Sequence, residues 1–172
     1  RLGARHRRLA RTDPAELAWS LVLDSLVFVD CDVGARFEFH WSHSGIGPLA
    51  FTGTDHKLLV NNTFVRNRVG IELVASINSD TGFSSPFRWP YRIWNSSFQD
   101  CGTAIAVSAY GNQNEPLIEP EIVNDVFASG IDVALDLQGD RAGLTSLRTN
   151  DFWDRPAGFV RDGTRVLTTL AE

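Results

Sequence analysis

Five phenylalanines, Phe28, Phe64, Phe98, Phe127 and Phe152, each stand at the same place in one recurring pattern. Five residues before them come Leu23, Leu59, Ile93, Ile122 and Leu147; seven residues after them come Ala35, Ile71, Ile105, Ala134 and Phe159. All fifteen positions are apolar, in a chain only 43% apolar overall. Internal repetition of this length marks one supersecondary unit stacked on itself. The fullest copy is Leu59-Val60-Asn61-Asn62-Thr63-Phe64-Val65-Arg66-Asn67-Arg68-Val69-Gly70-Ile71-Glu72-Leu73.

The Phe-to-Phe intervals are 36, 34, 29 and 25 residues. Each holds short apolar alternations bounded by Gly, Asn and Asp, the signature of short strands rather than helices. Intervals of this length suit one turn of a β-solenoid with loops of unequal size. Equivalent residues then lie above one another at the strand spacing of ~4.8 Å. Phe stacks on Phe and Ile on Ile, and interior strands pair in parallel with the coils on either side.

Two polar columns fit the same register. Two residues before each Phe come Leu26, Asn62, Ser96, Asp125 and Asn150; three after it come Cys31, Asn67, Cys101, Gly130 and Arg155. Stacked Asn side chains can bond amide to amide and can satisfy backbone groups at a turn. The only two cysteines, Cys31 and Cys101, fall in one column two coils apart. That places them ~9.6 Å apart, beyond the ~7 Å reach of a disulfide, so two free, buried thiols are expected. The sequons Asn61-Asn62-Thr63 and Asn95-Ser96-Ser97 lie in the turn region, where stacking already accounts for them.

The Leu59–Asn67 segment followed by Gly70-Ile71-Glu72-Leu73 resembles the repeat of right-handed parallel β-helix proteins, the superfamily of pectate lyases, alginate epimerases and lyases, several glycoside hydrolases and phage tailspikes. Weaker copies extend the resemblance over roughly residues 21 to 162. The resemblance implies an all-β fold, a right-handed parallel β-helix (β-solenoid) of about five coils. It carries no catalytic residue over. The clustered carboxylates expected of a calcium-dependent pectate lyase are missing at matching positions, as is the polygalacturonase set of aspartates and Gly-His-Gly.

Residues 1–20 are expected to form a basic arm and a short capping helix, with residues 21–172 as the β-helix domain. Thr12 suits an N-cap, Pro14 lies near the first helical position and Glu16 favours the positive end. Ala15, Leu17, Ala18 and Trp19 could then cover the open first coil, which is otherwise a sheet edge. Residues 165–170 read as a last strand or a cap. A second subunit or a further domain could cover that end.

Charge narrows the partners. Arg1, Arg5, Arg7, Arg8 and Arg11 crowd the start, leaving the rest of the chain with 11 basic against 21 acidic side chains. An acidic body disfavours nucleic acid and acidic polysaccharides, which need a positive surface. No apolar run approaches the ~18 residues of a membrane span, so no membrane partner is expected. Methionine is absent, even at position 1, and the chain is expected to begin inside a longer product. Compartment is therefore open, extracellular or periplasmic if the chain acts on carbohydrate.

Chemistry-bearing residues gather in two places. Outward positions following each Gly give Arg36 and Glu72, then His40 and Tyr110, with His43 just beyond. His40, Glu72 and Tyr110 offer an acid/base pair and a phenol, groups used in proton transfer at sugar carbons; Arg36 beside Glu72 offers instead a cross-strand ion pair. The long loop of residues 76–92 carries Phe83, Phe87, Trp89 and Tyr91 and ends at Arg92, and long loops on rigid scaffolds often carry function. Trp89, Tyr91 and Arg92 are candidates to hold a sugar; equally, the aromatics could fold back to seal the loop. His40, His43, Asp55 and His56 lack standard metal-ligand spacing, so no metal or cofactor is expected. The leading expectation is a carbohydrate-active or carbohydrate-binding protein for a neutral or weakly charged glycan. If it is an enzyme, it would be of lyase, epimerase or glycoside hydrolase type. The competing expectation is a non-catalytic interaction or structural module.

Overall fold

The structure is a computed structural model that describes residues 21–43, 57–79, 91–111, 118, 120–139, 142, 146–153 and 158–168, without the side chains of 39–43 and 77–79. All regular structure among these residues is β; they contain no helix. The expected capping helix falls in residues 1–20, outside the described residues.

The strands come in threes. The first repeat has β1 (Leu21–Asp24), β2 (Val27–Val29) and β3 (Val33–His43). The second has β4 (Lys57–Val60), β5 (Thr63–Val65) and β6 (Val69–Ser79). The third has β7 (Tyr91–Trp94), β8 (Ser97–Gln99) and β9 (Thr103–Gly111). The fourth has β10 (Glu121–Val123), β11 (Val126–Phe127) and β12 (Val133–Gln138). The fifth has β13 (Ser146–Arg148), β14 (Asp151–Phe152) and β15 (Gly158–Asp162), followed by β16 (Arg165–Leu167). Each repeat gives one strand to each of three sheets, ordered β1-β4-β7-β10-β13, β2-β5-β8-β11-β14 and β3-β6-β9-β12-β15-β16. Every pairing is parallel except β15 with β16, where a turn through Gly163 folds the chain back antiparallel. This all-β, parallel arrangement is compatible with a β-solenoid.

The columns read from the sequence are physical columns. Leu23, Leu59, Ile93, Ile122 and Leu147 are direct register partners. So are the five phenylalanines, whose rings stack at 4.9, 5.0, 5.2 and 4.7 Å within 10° of parallel. Phe159 closes one end of that stack edge-on to Phe152, with centroids 5.1 Å apart. Fully buried Leu59, Phe64, Ile71, Leu73, Ile93, Phe98, Ile105, Ile122 and Phe127 make a continuous core along the stacking direction.

The repeat also needs small residues at one corner. A Cβ on Gly70 would lie 2.6 Å from the Ala104 carbonyl oxygen and 2.9 Å from the Phe98 ring. Backbone and ring approach too closely there for any larger side chain to enter without displacement.

Turn chemistry sets the bends. Ser25, Asn61, Asn95, Asn124 and Thr149 all adopt φ between 52° and 62° at the corner between the first and second strands. Asn tolerates this left-handed conformation better than most residues. From the second repeat on, the next residue in the turn builds the polar ladder, and the Asn side chains satisfy turn backbone groups as expected. Asn62 Oδ1 accepts the Leu26 N–H and Asn62 Nδ2 donates to the Leu23 carbonyl, each at 3.0 Å. Asn67 repeats this at the second corner, accepting from the Cys31 N–H at 2.8 Å and donating to the Phe28 carbonyl at 3.0 Å. Both amides bond to backbone rather than to a stacked amide, because buried turn N–H and C=O groups otherwise go unpaired. An amide-to-amide bond does form on the exposed neighbouring column, from Asn124 Nδ2 to Asn95 Oδ1 at 2.9 Å.

Two expectations need correction. Cys31 and Cys101 are both free, but only Cys101 is buried; Cys31, in the first described repeat, is half-buried. The second concerns register. Val133 pairs with Thr103, so six residues separate Phe127 from Val133 where five separate Phe98 from Thr103. The extra residue lies just before Gly130: the Asp100 N–H meets the Ser129 carbonyl as the Arg66 N–H meets that of Gln99, so Gly130, at φ 75°, takes the left-handed place of Asp100. In the fourth and fifth repeats the column below Ile71 and Ile105 is therefore Leu135 and Val160, not Ala134 and Phe159. Every outward position after it moves by one residue too.

Candidate functional site

The third sheet has the longest strands, and side chains on its outer surface alternate with the buried columns. Its first outer row runs Arg36, Glu72, Ala106, Asp136, Arg161 across five strands. Arg36 Nη1 lies 3.1 Å from Glu72 Oε2, and Arg36 Nε 3.2 Å from Glu38 Oε2. At the other end Arg161 Nε donates to Asp136 Oδ1 at 2.7 Å, while Gln138 Nε2 donates to Asp136 Oδ2 at 2.7 Å. The two carboxylate-bearing strands flank the small Ala106, two strand spacings or ~9.6 Å apart at the backbone.

Electrostatics separates the two acids. Burial pushes the Asp136 carboxyl up, but the Arg161 and Gln138 hydrogen bonds and the Arg161 charge outweigh it and hold the group below its ordinary value. Asp136 is therefore an ionised acceptor at neutral pH. Glu72 Oε2 is buried and has no hydrogen-bond partner, so its contact with Arg36 is an ion pair without hydrogen-bond alignment.

A second outer row continues with Glu38, Val74, Ser108 and Gln138, and a third with Ser76 and Tyr110, to which His40 corresponds by backbone register. Tyr110 is 49% exposed, which leaves much of its phenol ring open to solvent. The first and third rows are four residues apart along the strands, ~13 Å by strand rise.

The sequence-derived candidates divide accordingly. Arg36 and Glu72 meet directly. His40 shares a row with Tyr110 by backbone register and His43 lies further along β3, opposite Ser79; their side chains are outside the described residues, as are Trp89, Asp55 and His56. Tyr91 belongs to the interior: it is 1% exposed, with its ring edge-on to Phe37 at 5.7 Å. Burial raises its phenol above the ordinary value. A Tyr at a strand start whose neighbours alternate inward offers no surface to a sugar. Arg92 faces outward from a different sheet, with its Nε 3.4 Å from Glu121 Oε2 and its guanidinium 5.4 Å from the centre of the Trp94 ring. It does not join the Glu72 face.

Asp136, Gln138, Ser108 and Arg161 were not among the candidates. The Leu135-Asp136-Leu137 alternation was the available signal, since two inward leucines require the aspartate between them to face out. The one-residue insertion near Gly130 concealed it. Among the described residues no group of three or more His, Cys, Asp or Glu is placed to hold a metal ion. Comparison with protein-family models, with curated proteins and with solved structures found no match for this chain.

Proposed function

We propose that the chain is a right-handed parallel β-helix that binds a neutral or weakly charged glycan on the outer surface of its third sheet. The observation that carries this reading is the exposed Tyr110 ring on the same face as Glu72, Ser108 and Gln138, the last held in place by the buried Asp136. Sugars present C–H faces that lie on aromatic rings and hydroxyls that bond to carboxylates, amides and hydroxyls. Rows of such groups repeated at the strand spacing suit an extended chain of sugar rings better than a compact ligand.

Binding is favoured over turnover by the state of Asp136. A carboxylate held ionised by Arg161 cannot serve as a general acid near neutral pH. Proton exchange between Glu72 and His40 would need a substrate spanning rows ~13 Å apart. A second reading, a non-catalytic interaction module, has its own support: both carboxylates of the first row are engaged by arginines, as in a face built for cohesion.

The test is a screen of neutral and weakly charged oligosaccharides by array, followed by calorimetry with the wild type and with Tyr110→Ala. The expected result is binding that weakens at least tenfold in the variant while circular dichroism is unchanged. Absence of binding to every glycan, or equal affinity of the variant, refutes the proposal. Release of reducing ends or unsaturated sugars would show turnover and displace the binding-only reading.

A further inference from the structure

We infer that Asp125 is a pH-sensitive latch, pinning the fourth repeat to the third as a neutral acid and releasing that corner when it ionises. Asp125 stands where Asn62 and Asn150 stand in other repeats, and it is 0% exposed. Where Asn fills this place it performs two functions at once: its oxygen accepts a backbone N–H from the preceding repeat, and its nitrogen donates to a backbone carbonyl of that repeat. Ser96, in the same column, accepts the Asn62 N–H and turns its own hydrogen to the Trp94 carbonyl.

Asn62 does both, and so does Asn150, which accepts the Asp125 N–H at 2.8 Å and donates from Nδ2 to the Ile122 carbonyl at 3.0 Å. Asp125 Oδ1 performs the first task, accepting the Ser96 N–H at 2.5 Å. Oδ2 stands in for the amide nitrogen and is buried with no partner. The register-equivalent acceptor is the Ile93 carbonyl, three residues before Ser96 as Leu23 is three before Leu26. Only a protonated Oδ2 can donate to it; an ionised one would set two acceptors against each other in a dry turn.

Among the described residues no neighbouring charge relieves this. On the strands packed against the corner, the ionisable side chains are Tyr91 and Arg92 on β7, Glu121 on β10, Arg148 on β13 and Asp151 on β14, with the buried Tyr91 phenol held neutral; β8 and β11 carry none. Arg92 and Arg148 both close on Glu121, at 3.4 and 2.8 Å, and Asp151 is exposed. Burial accordingly pushes the Asp125 carboxyl up to about 8, against the backbone N–H groups of Ser96 and Val123, which favour the charge.

The sign of the pH dependence follows. The unfolded chain loses this proton near 3.8, whereas the folded protein keeps it to about 8. Between those values the folded state binds more protons, so stability is full below the lower value and is lost as pH rises toward the upper one. Each pH unit in that window shifts the unfolding equilibrium about tenfold.

The experiment measures urea unfolding of the full chain from pH 4.5 to 8.5, wild type beside Asp125→Asn. Carbon-13 carboxyl NMR of the wild type accompanies it. The amide supplies the missing donor and cannot titrate. The expected result is that the wild type loses about 100-fold in its folding equilibrium relative to the variant between pH 5 and 7, with one aspartate carboxyl titrating near 8. Parallel pH profiles for the two proteins overturn the inference. So does an Asp125 carboxyl signal that titrates near 4, a readout that stands even if the variant does not fold.

Discussion

Replacing Phe98 by alanine takes the middle ring from a stack of five. Phe98 is fully buried, with parallel neighbours at 5.0 and 5.2 Å on its two faces. Truncating a buried Phe to Ala costs about 3–5 kcal/mol in lost transfer energy and cavity. Each aromatic pair adds ~0.5–1.5 kcal/mol beyond area, and Phe98 loses two, so its cost belongs at the top of the range, about 5 kcal/mol. Phe152 is half-buried, with one parallel neighbour at 4.7 Å and Phe159 edge-on. Its truncation should cost about half as much, roughly 2–3 kcal/mol. A domain whose whole stability is ~5–15 kcal/mol could fail to fold with Phe98→Ala. Phe98→Leu, expected at about 1–2 kcal/mol, keeps the comparison readable. Urea titrations followed by circular dichroism give the differences from midpoint shifts at constant slope. Equal costs at Phe98 and Phe152 would refute the reasoning, since the stack would then confer nothing on its centre. So would a Phe98→Leu variant as stable as the wild type.

Two further outcomes test the corners. Asn62→Ala leaves the Leu26 N–H and the Leu23 carbonyl without their partners, and should cost about 2–4 kcal/mol in the same urea assay. A change within 0.5 kcal/mol would mean water replaces the amide there. A thiol reagent should label Cys31 in the folded protein well before Cys101, whose side chain is buried and whose thiol burial pushes up. Mass spectrometry of the unreduced chain should show no bridge; simultaneous labelling of both thiols would contradict the packing.

Legibility followed the range of the physics involved. The Phe column and the Leu/Ile column before it are separated by a constant five residues, so one short, locally determined turn lies between them in every repeat. Nothing of variable length intervenes, and all ten positions fell into register. The second corner is different. Cys31, Asn67 and Cys101 share one spacing from their Phe, but the next repeat takes an extra residue near Gly130. A single insertion exchanges the faces of a strand, which moved Asp136 and Arg161 onto the outer row and Leu135 and Val160 into the core. Tyr91 shows a similar limit: beside Trp89 and Arg92 it reads as part of an aromatic loop, whereas strand alternation in β7 turns it inward.

The sequence by itself determined the stacking: period, apolar columns and Asn-bearing turns all follow from residues a few places apart, and repetition made each copy a check on the others. Tertiary structure alone decided which polar groups share the outer surface and which lose water. Glu72 and Asp136 are 64 residues apart in the chain, and their common row depends on how the strands between them register. Asp125 reads as one more polar turn residue until the packing around it shows Oδ2 with no donor to meet. Burial and cross-strand register are properties of neighbours brought in from other repeats, so no local pattern encodes them.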